Sequence, residues 1–183
     1  ELMKLSDDGT SVVENKLNEE CDCLGISGGW TPRVHLFTQS GGKLKFRDKD
    51  NVFLPDKSTS EQISIGSCNG DFELDDVIKN SNKLVNKFLN INSSDYENLE
   101  INCSKEIDKK NIWLLPSDKP LGKTKPFLDF QNDSTAKDVK LALREGFKSI
   151  EHVKRYTTTG MGTDQGKLSN MHALGIIAET AGV

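Results

Sequence analysis

The chain has 183 residues, with 24 Lys and Arg against 28 Asp and Glu, a formal charge of −4. At 34% hydrophobic residues and a mean hydropathy of −0.54 it is thin in core material for a self-sufficient globule, and its apolar runs are far too short for a membrane span of about 20 residues. Its mild acidity argues against nucleic acid as the main partner, which a clustered Lys/Arg footprint would mark.

The elements divide into three parts: strand-like runs and Gly-rich turns over 1–92, a polar irregular linker over 93–126, and helix patterning over 127–183. Ser11 to Glu14 predicts a short strand. Cys21 to Ser27 (CDCLGIS) predicts a better one, closed by Gly28-Gly29 and by Pro32, which pushes Thr31 toward an extended conformation. After His35-Leu36-Phe37 and the turn Gly41-Gly42, Lys43 to Phe46 alternates polar and apolar at strand period. Gln62 to Gly66 predicts another strand, running through Ser67-Cys68-Asn69-Gly70 into a helix from about Leu74 to Leu89. Strand, Gly-bearing turn and helix in that order is the local grammar of nucleotide-binding α/β folds, resting on half of a parallel sheet.

In the last part, Thr135-x-x-Asp138 predicts a capping box opening a helix that stops at Gly146. Ser149 is placed to cap a second helix, Ile150 to about Thr158, with a Glu151–Arg155 pair on its face and Gly160 at its end. A third helix begins after Lys167, with Leu168, Met171, Leu174, Ile177, Ala178 and Ala181 as its apolar stripe.

Chemistry-bearing motifs are sparse. Cys21, Cys23, Cys68 and Cys103 form no CxxC pair and no zinc-type spacing, so reduced thiols and an intracellular, cytoplasmic compartment are expected. No signal-peptide pattern precedes them, and a start at Glu1 suggests a piece of a longer polypeptide. The Gly66 to Gly70 turn presents backbone N–H groups and a helix N-terminus suited to a phosphate or flavin, or serves as a plain turn. Gly160-Met-Gly162-Thr-Asp-Gln-Gly-Lys167 is not a Walker motif: Met161 occupies the first Gly position and Leu168 follows the Lys. It remains a Gly-rich loop that either turns the chain or holds an anion through N–H groups and Lys167. No metal site and no catalytic residue is expected. Asp129, Gln131 and Asp133 alternate either as a polar strand or as a helix-entry turn.

Three segments, GISGGWTPRVHL (25–36), FLDFQND (127–133) and EGFKSIEHVKRYTTTGMGTDQGKLSN (145–170), resemble the α subunit of heterotetrameric sarcosine oxidase. The likeness covers most of 20–90 and nearly all of 127–183. It implies the C-terminal part of an FAD/NAD(P)-binding-type domain over 1–92 and a small helical domain over 127–183: an α/β part followed by a small all-α part. The helical module resembles the cluster domain of bacterioferritin-associated ferredoxins. Where those carry cysteine pairs, this chain has Asp129-Phe-Gln131 and Asp164-Gln-Gly-Lys167, so the resemblance implies no iron–sulfur cluster and a hydrogen-bonded web in its place.

The resemblance further implies a complex with β, γ and δ subunits in which sarcosine is oxidatively demethylated at a flavin, FMN lies at a subunit boundary, NAD is bound and tetrahydrofolate takes up the one-carbon unit. Without the upstream dinucleotide fingerprint, this stretch is expected to be a scaffold and interface piece. Gly28, Gly29, Gly66, Gly70, Lys154, Arg155, Gly160, Gly162 and Lys167 are its candidate cofactor-side residues. The corresponding subunit of a proline or opine-type dehydrogenase complex, and a stand-alone binding module, are the alternative readings.

Overall fold

The computed structural model describes residues 2–26, 28–91 and 112–183. The chain divides into two compact units, one of residues 1–21 with 112–183 and one of residues 22–111.

In the first unit, β1 (Leu2–Leu5) and β2 (Val12–Leu17) form an antiparallel hairpin. Asp8 organises its turn by accepting from the Thr10 backbone N–H at 3.1 Å and from the Thr10 hydroxyl at 2.7 Å. The remainder holds β5 (Phe127–Asp129), β6 (Ser134–Thr135), α3 (Ala136–Arg144), α4 (Ile150–Thr157) and α5 (Asn170–Ala181). Its core is Leu128, Ala136, Val139, Ala142, Val153, Ala173, Ile176 and Ile177. Trp113, Leu114 and Leu121, from the stretch expected to be irregular, have no helix or strand but pack onto that core. Gly175 makes this possible, because a Cβ there would collide with the Trp113 ring.

The capping box forms as expected: Thr135 Oγ1 accepts from the Asp138 N–H at 3.4 Å, and Asp138 Oδ2 accepts from the Thr135 N–H at 2.9 Å. Gly146 follows α3 with φ 97°, the left-handed geometry read from its sequence position. Two details differ. Ser149 makes no side-chain cap bond, and α4 ends at Thr158, itself left-handed at φ 59°, two residues before Gly160. α5 starts at Asn170, and Leu168 is 69% exposed, because Asp164 accepts from the Leu168 N–H at 3.2 Å and winds 164–168 into a separate turn. The buried face of α5 is Ala173, Gly175, Ile176 and Ile177, so that of the expected stripe Ile177 alone is buried.

In the second unit, α1 (His35–Gln39) precedes the antiparallel hairpin of β3 (Lys43–Arg47) and β4 (Val52–Lys57). Phe37, Val52 and Leu54 are its buried apolar residues. A 3-10 turn over Gly66–Asn69 leads to α2 (Leu74–Leu89), whose bounds are those read from periodicity. Asp75 and Asp76 lie in its first turn and Lys87 in its last, matching the helix dipole. No α2 residue is buried; Leu74, Val85, Phe88 and Leu89 are all exposed, Phe88 by 71%.

The parallel half-sheet is not found. All three sheets among the described residues are two-stranded and antiparallel, because β3 and β4 are joined by a tight turn and parallel pairing needs a long crossover. Residues 21–26, read as a strand, and Gln62 to Gly66 have no ladder partner, so neither satisfies its backbone as a sheet does; Trp30 beyond them is 82% exposed. Ser27, Cys103 and residues 93–111 of the expected linker lie outside the described residues. No helix among the described residues is long and apolar enough to cross a membrane.

Candidate functional site

Two segments far apart in sequence meet at one corner of the first unit: the turn between β5 and β6, and the loop from Thr157 to Ser169. The turn is built around Asp129, 4% exposed. Its Oδ1 accepts from the N–H groups of Gln131 at 2.9 Å and Asn132 at 3.2 Å, an Asx turn within FLDFQND. Its Oδ2 accepts from Asn132 Nδ2 at 3.2 Å and from the Gly160 N–H at 2.7 Å. Burial pushes the Asp129 carboxyl up, but the bonds from Gly160, Asn132 and Gln131 together outweigh it and hold the group below its ordinary value of 3.8.

The rest of the corner repeats the pattern. Gln131 Oε1 accepts from both the N–H and the hydroxyl of Thr163, at 2.7 and 2.8 Å. Asn132 Nδ2 donates to the Thr158 carbonyl at 3.1 Å, and Ser134, fully buried, donates to the Thr157 carbonyl at 2.5 Å. The hydroxyls of Thr157 and Thr159 meet at 2.8 Å. Asp164 accepts from Gly166 N–H at 3.1 Å as well as from Leu168. Of the expected web, Asp129 and Gln131 do tie their turn to the far loop. Asp164 instead bonds to Gly166 and Leu168 of its own turn and Lys167 Nζ reaches Gln165 Oε1 only at 3.5 Å, so the five residues do not form one connected network.

Close approach dictates two glycines. A Cβ on Gly160, at φ 72°, would run into the Asn170 side chain, and one on Gly162 would run into Gln131. Asp133, Thr158 and Gln165 are non-glycine residues with positive φ at this same corner. For the β-branched Thr158 that geometry is costly and is held by the surrounding bonds.

The expected anion cradle has a different character. The N–H groups of Gly160, Thr163, Gly166 and Leu168 are bound by the chain's own side chains. Those of Met161, Gln165, Lys167 and Asn170 go to backbone carbonyls within the loop. What the corner offers outward is side chains: Lys167, Phe130 and Met161 are all exposed.

The remaining candidates are scattered. Lys154 lines a cleft of about 170 Å³ between α3, α4 and α5. Arg155, 69% exposed, faces Glu151 at 3.9 Å, a surface pair of small worth. Gly66 and Gly70 lie in the second unit with φ 74° and 83°, and Arg47 Nη2 donates to the Gly70 carbonyl at 3.1 Å. Gly28 and Gly29 stand in open space. No group of three or more potential metal-ligating side chains occurs among the described residues. The sequence reading missed Asn132, Ser134 and Asn170. The Asp-x-x-Asn spacing was a usable turn signal for the first; nothing local marks the other two.

A helical module whose hydrogen-bonded Gly loop is tied to a short hairpin defines the class. Residues 123–183 match the family described as the sarcosine oxidase A3 domain. Over 90% of its length the chain is 32% identical to sarcosine oxidase subunit alpha of Corynebacterium sp. (strain P-1), and over 88% it is 34% identical to the Rhizobium meliloti (strain 1021) subunit alpha. The chain is similar to sarcosine oxidase alpha subunits along most of its own length, and it spans 18% and 16% of the length of these two relatives. Among solved structures, L-proline dehydrogenase from P. horikoshii shares the fold. The match has a TM-score of 0.57 at 20% identity and covers all of this chain and 39% of that one.

Proposed function

We propose that this chain is the part of a sarcosine oxidase alpha subunit that joins the end of an FAD/NAD(P)-binding-type domain, residues 1–92, to the A3 helical domain, residues 127–183. Its parent is a flavin-dependent oxidoreductase, active in the cytoplasm, that converts sarcosine to glycine with release of peroxide and transfer of the one-carbon unit to tetrahydrofolate. Its partners there are β, γ and δ subunits. The chain contributes no catalytic residue; it shapes the surface on which FMN and the partner subunit rest.

The match of 123–183 to the A3 family carries this reading. The unburied apolar face of α2 supports it: Leu74, Val85, Phe88 and Leu89 expose surface that a larger nucleotide-binding domain would cover. The donor set at the corner suits a flavin phosphate through Lys167, with most of the loop N–H groups already committed to the protein. It does not suit an iron–sulfur cluster, since residues 104–183 hold no cysteine and the carboxylate and carboxamide groups there already accept N–H bonds. When bound, FMN would supply electron transfer to oxygen; this chain's part is to position it.

The test is the assembled complex. Sarcosine-dependent peroxide formation and one FMN per complex are expected. A complex that turns over proline but not sarcosine, or assembles without flavin, overturns the assignment.

A further inference from the structure

We propose that the cleft between α3, α4 and α5 docks a segment of the surrounding assembly in which a large apolar side chain stands next to a carboxylate. This rests on the reading that the chain works inside a larger complex, and not on the flavin.

The floor of the cleft is Val139, Val153 and Ile177, and Ile150 and Leu174 form its walls. Its volume of about 170 Å³ is close to the roughly 150 Å³ of an engineered apolar cavity that accepts benzene, so one aromatic or branched aliphatic side chain fills it. Lys154 stands in the lining, half-buried, and its ammonium has no carboxylate partner among the described residues. The one acid in the lining, Glu151, has Arg155 as its partner. An alkyl stem laid on apolar surface with an unpaired ammonium at its tip favours a ligand that brings both an apolar group and an anion.

That combination selects the occupant. An apolar side chain alone would leave Lys154 partly desolvated without compensation, and a bare anion would leave the floor wet. A polypeptide segment is favoured over a free acid because the relatives are several times longer than this chain.

The test uses the assembled complex. Lys154→Glu reverses the charge at the cleft, while Lys148→Glu makes the same change at an exposed residue outside it. Lys154→Glu is expected to weaken association at least tenfold, and Lys148→Glu to change it by less than twofold. A photo-crosslinking residue at position 150 is expected to attach to a peptide with Asp or Glu within two residues of Leu, Ile, Met or an aromatic.

Equal effects of the two charge reversals overturn the proposal. So does capture of a second copy of this chain, of lipid, or of a peptide lacking either group. A flavin-free complex that still gives the expected crosslink would sink the proposed function and keep this docking site. A flavin-loaded complex in which Lys154→Glu assembles like wild type does the reverse, and a chain that purifies from its native cells with no partner and no longer polypeptide overturns both.

Discussion

Asp129 Oδ2 accepts the N–H of Gly160 at 2.7 Å across 31 residues of sequence, and the bond is buried. Three further donors converge on the same carboxylate, so one side chain fixes both its own turn and the far loop.

Asp129→Asn replaces one acceptor oxygen with an NH₂ that faces N–H donors. Hydrogen bonds to a buried charged group are worth about 1.5–3 kcal/mol, and the substitution should cost about that much in a denaturant titration. Asp129→Ala should cost at least as much. A loss below about 0.5 kcal/mol would mean the corner is held by something else.

The pH dependence has a definite sign. Because the folded Asp129 sits below its ordinary 3.8, the unfolded chain binds the proton first as pH falls. Its contribution is complete above that value and is lost as pH drops through the lower folded pKa. Wild type and Asp129→Asn should therefore differ by a constant amount above about pH 5 and converge in stability as pH falls through the depressed folded pKa, below 3.8. Urea titrations at several pH values check this.

Gly162→Ala brings a Cβ onto Gln131, and Gly160→Ala adds a left-handed penalty to a collision with Asn170. Overpacking of this kind costs about 1–3 kcal/mol, with Gly160→Ala the larger loss by thermal or urea unfolding.

Lys167→Glu and Arg155→Glu alter exposed charges and should leave the fold of this chain unchanged by circular dichroism. In the assembled complex they should lower FMN occupancy or subunit association, read by flavin absorbance and analytical ultracentrifugation. Wild-type values for both variants would dismiss the FMN-side role.

The purified chain should bind NAD no more tightly than millimolar in calorimetry, since no dinucleotide fingerprint is present in its sequence. It should carry no stoichiometric iron. Micromolar NAD affinity or one cluster per chain would each overturn the corresponding expectation.

Local signals were legible where the physics is local. α2 and the Thr135–Asp138 box were readable because periodicity and capping act within a few residues. The segment 21–26 looked like a strand from its alternation, yet a strand exists only with a partner, which no window of sequence supplies. α5 is apolar around most of its circumference, so its stripe did not reveal which side meets Trp113. At the corner, residue types predicted a polar web, but the pairing of Asp129 with Gly160 and of Gln131 with Thr163 spans 31 and 32 residues and is set by the tertiary fold.

The left-handed Thr158 has one more consequence, for the order of assembly. Its carbonyl is held by Asn132, the preceding Thr157 by Ser134, and Gly160, two residues on, by Asp129. The reversal between the second and third helices of the module is thus templated by a hairpin laid down earlier in the chain. A synthetic peptide beginning at Glu145 would contain every residue of that reversal and still lack the scaffold that shapes it.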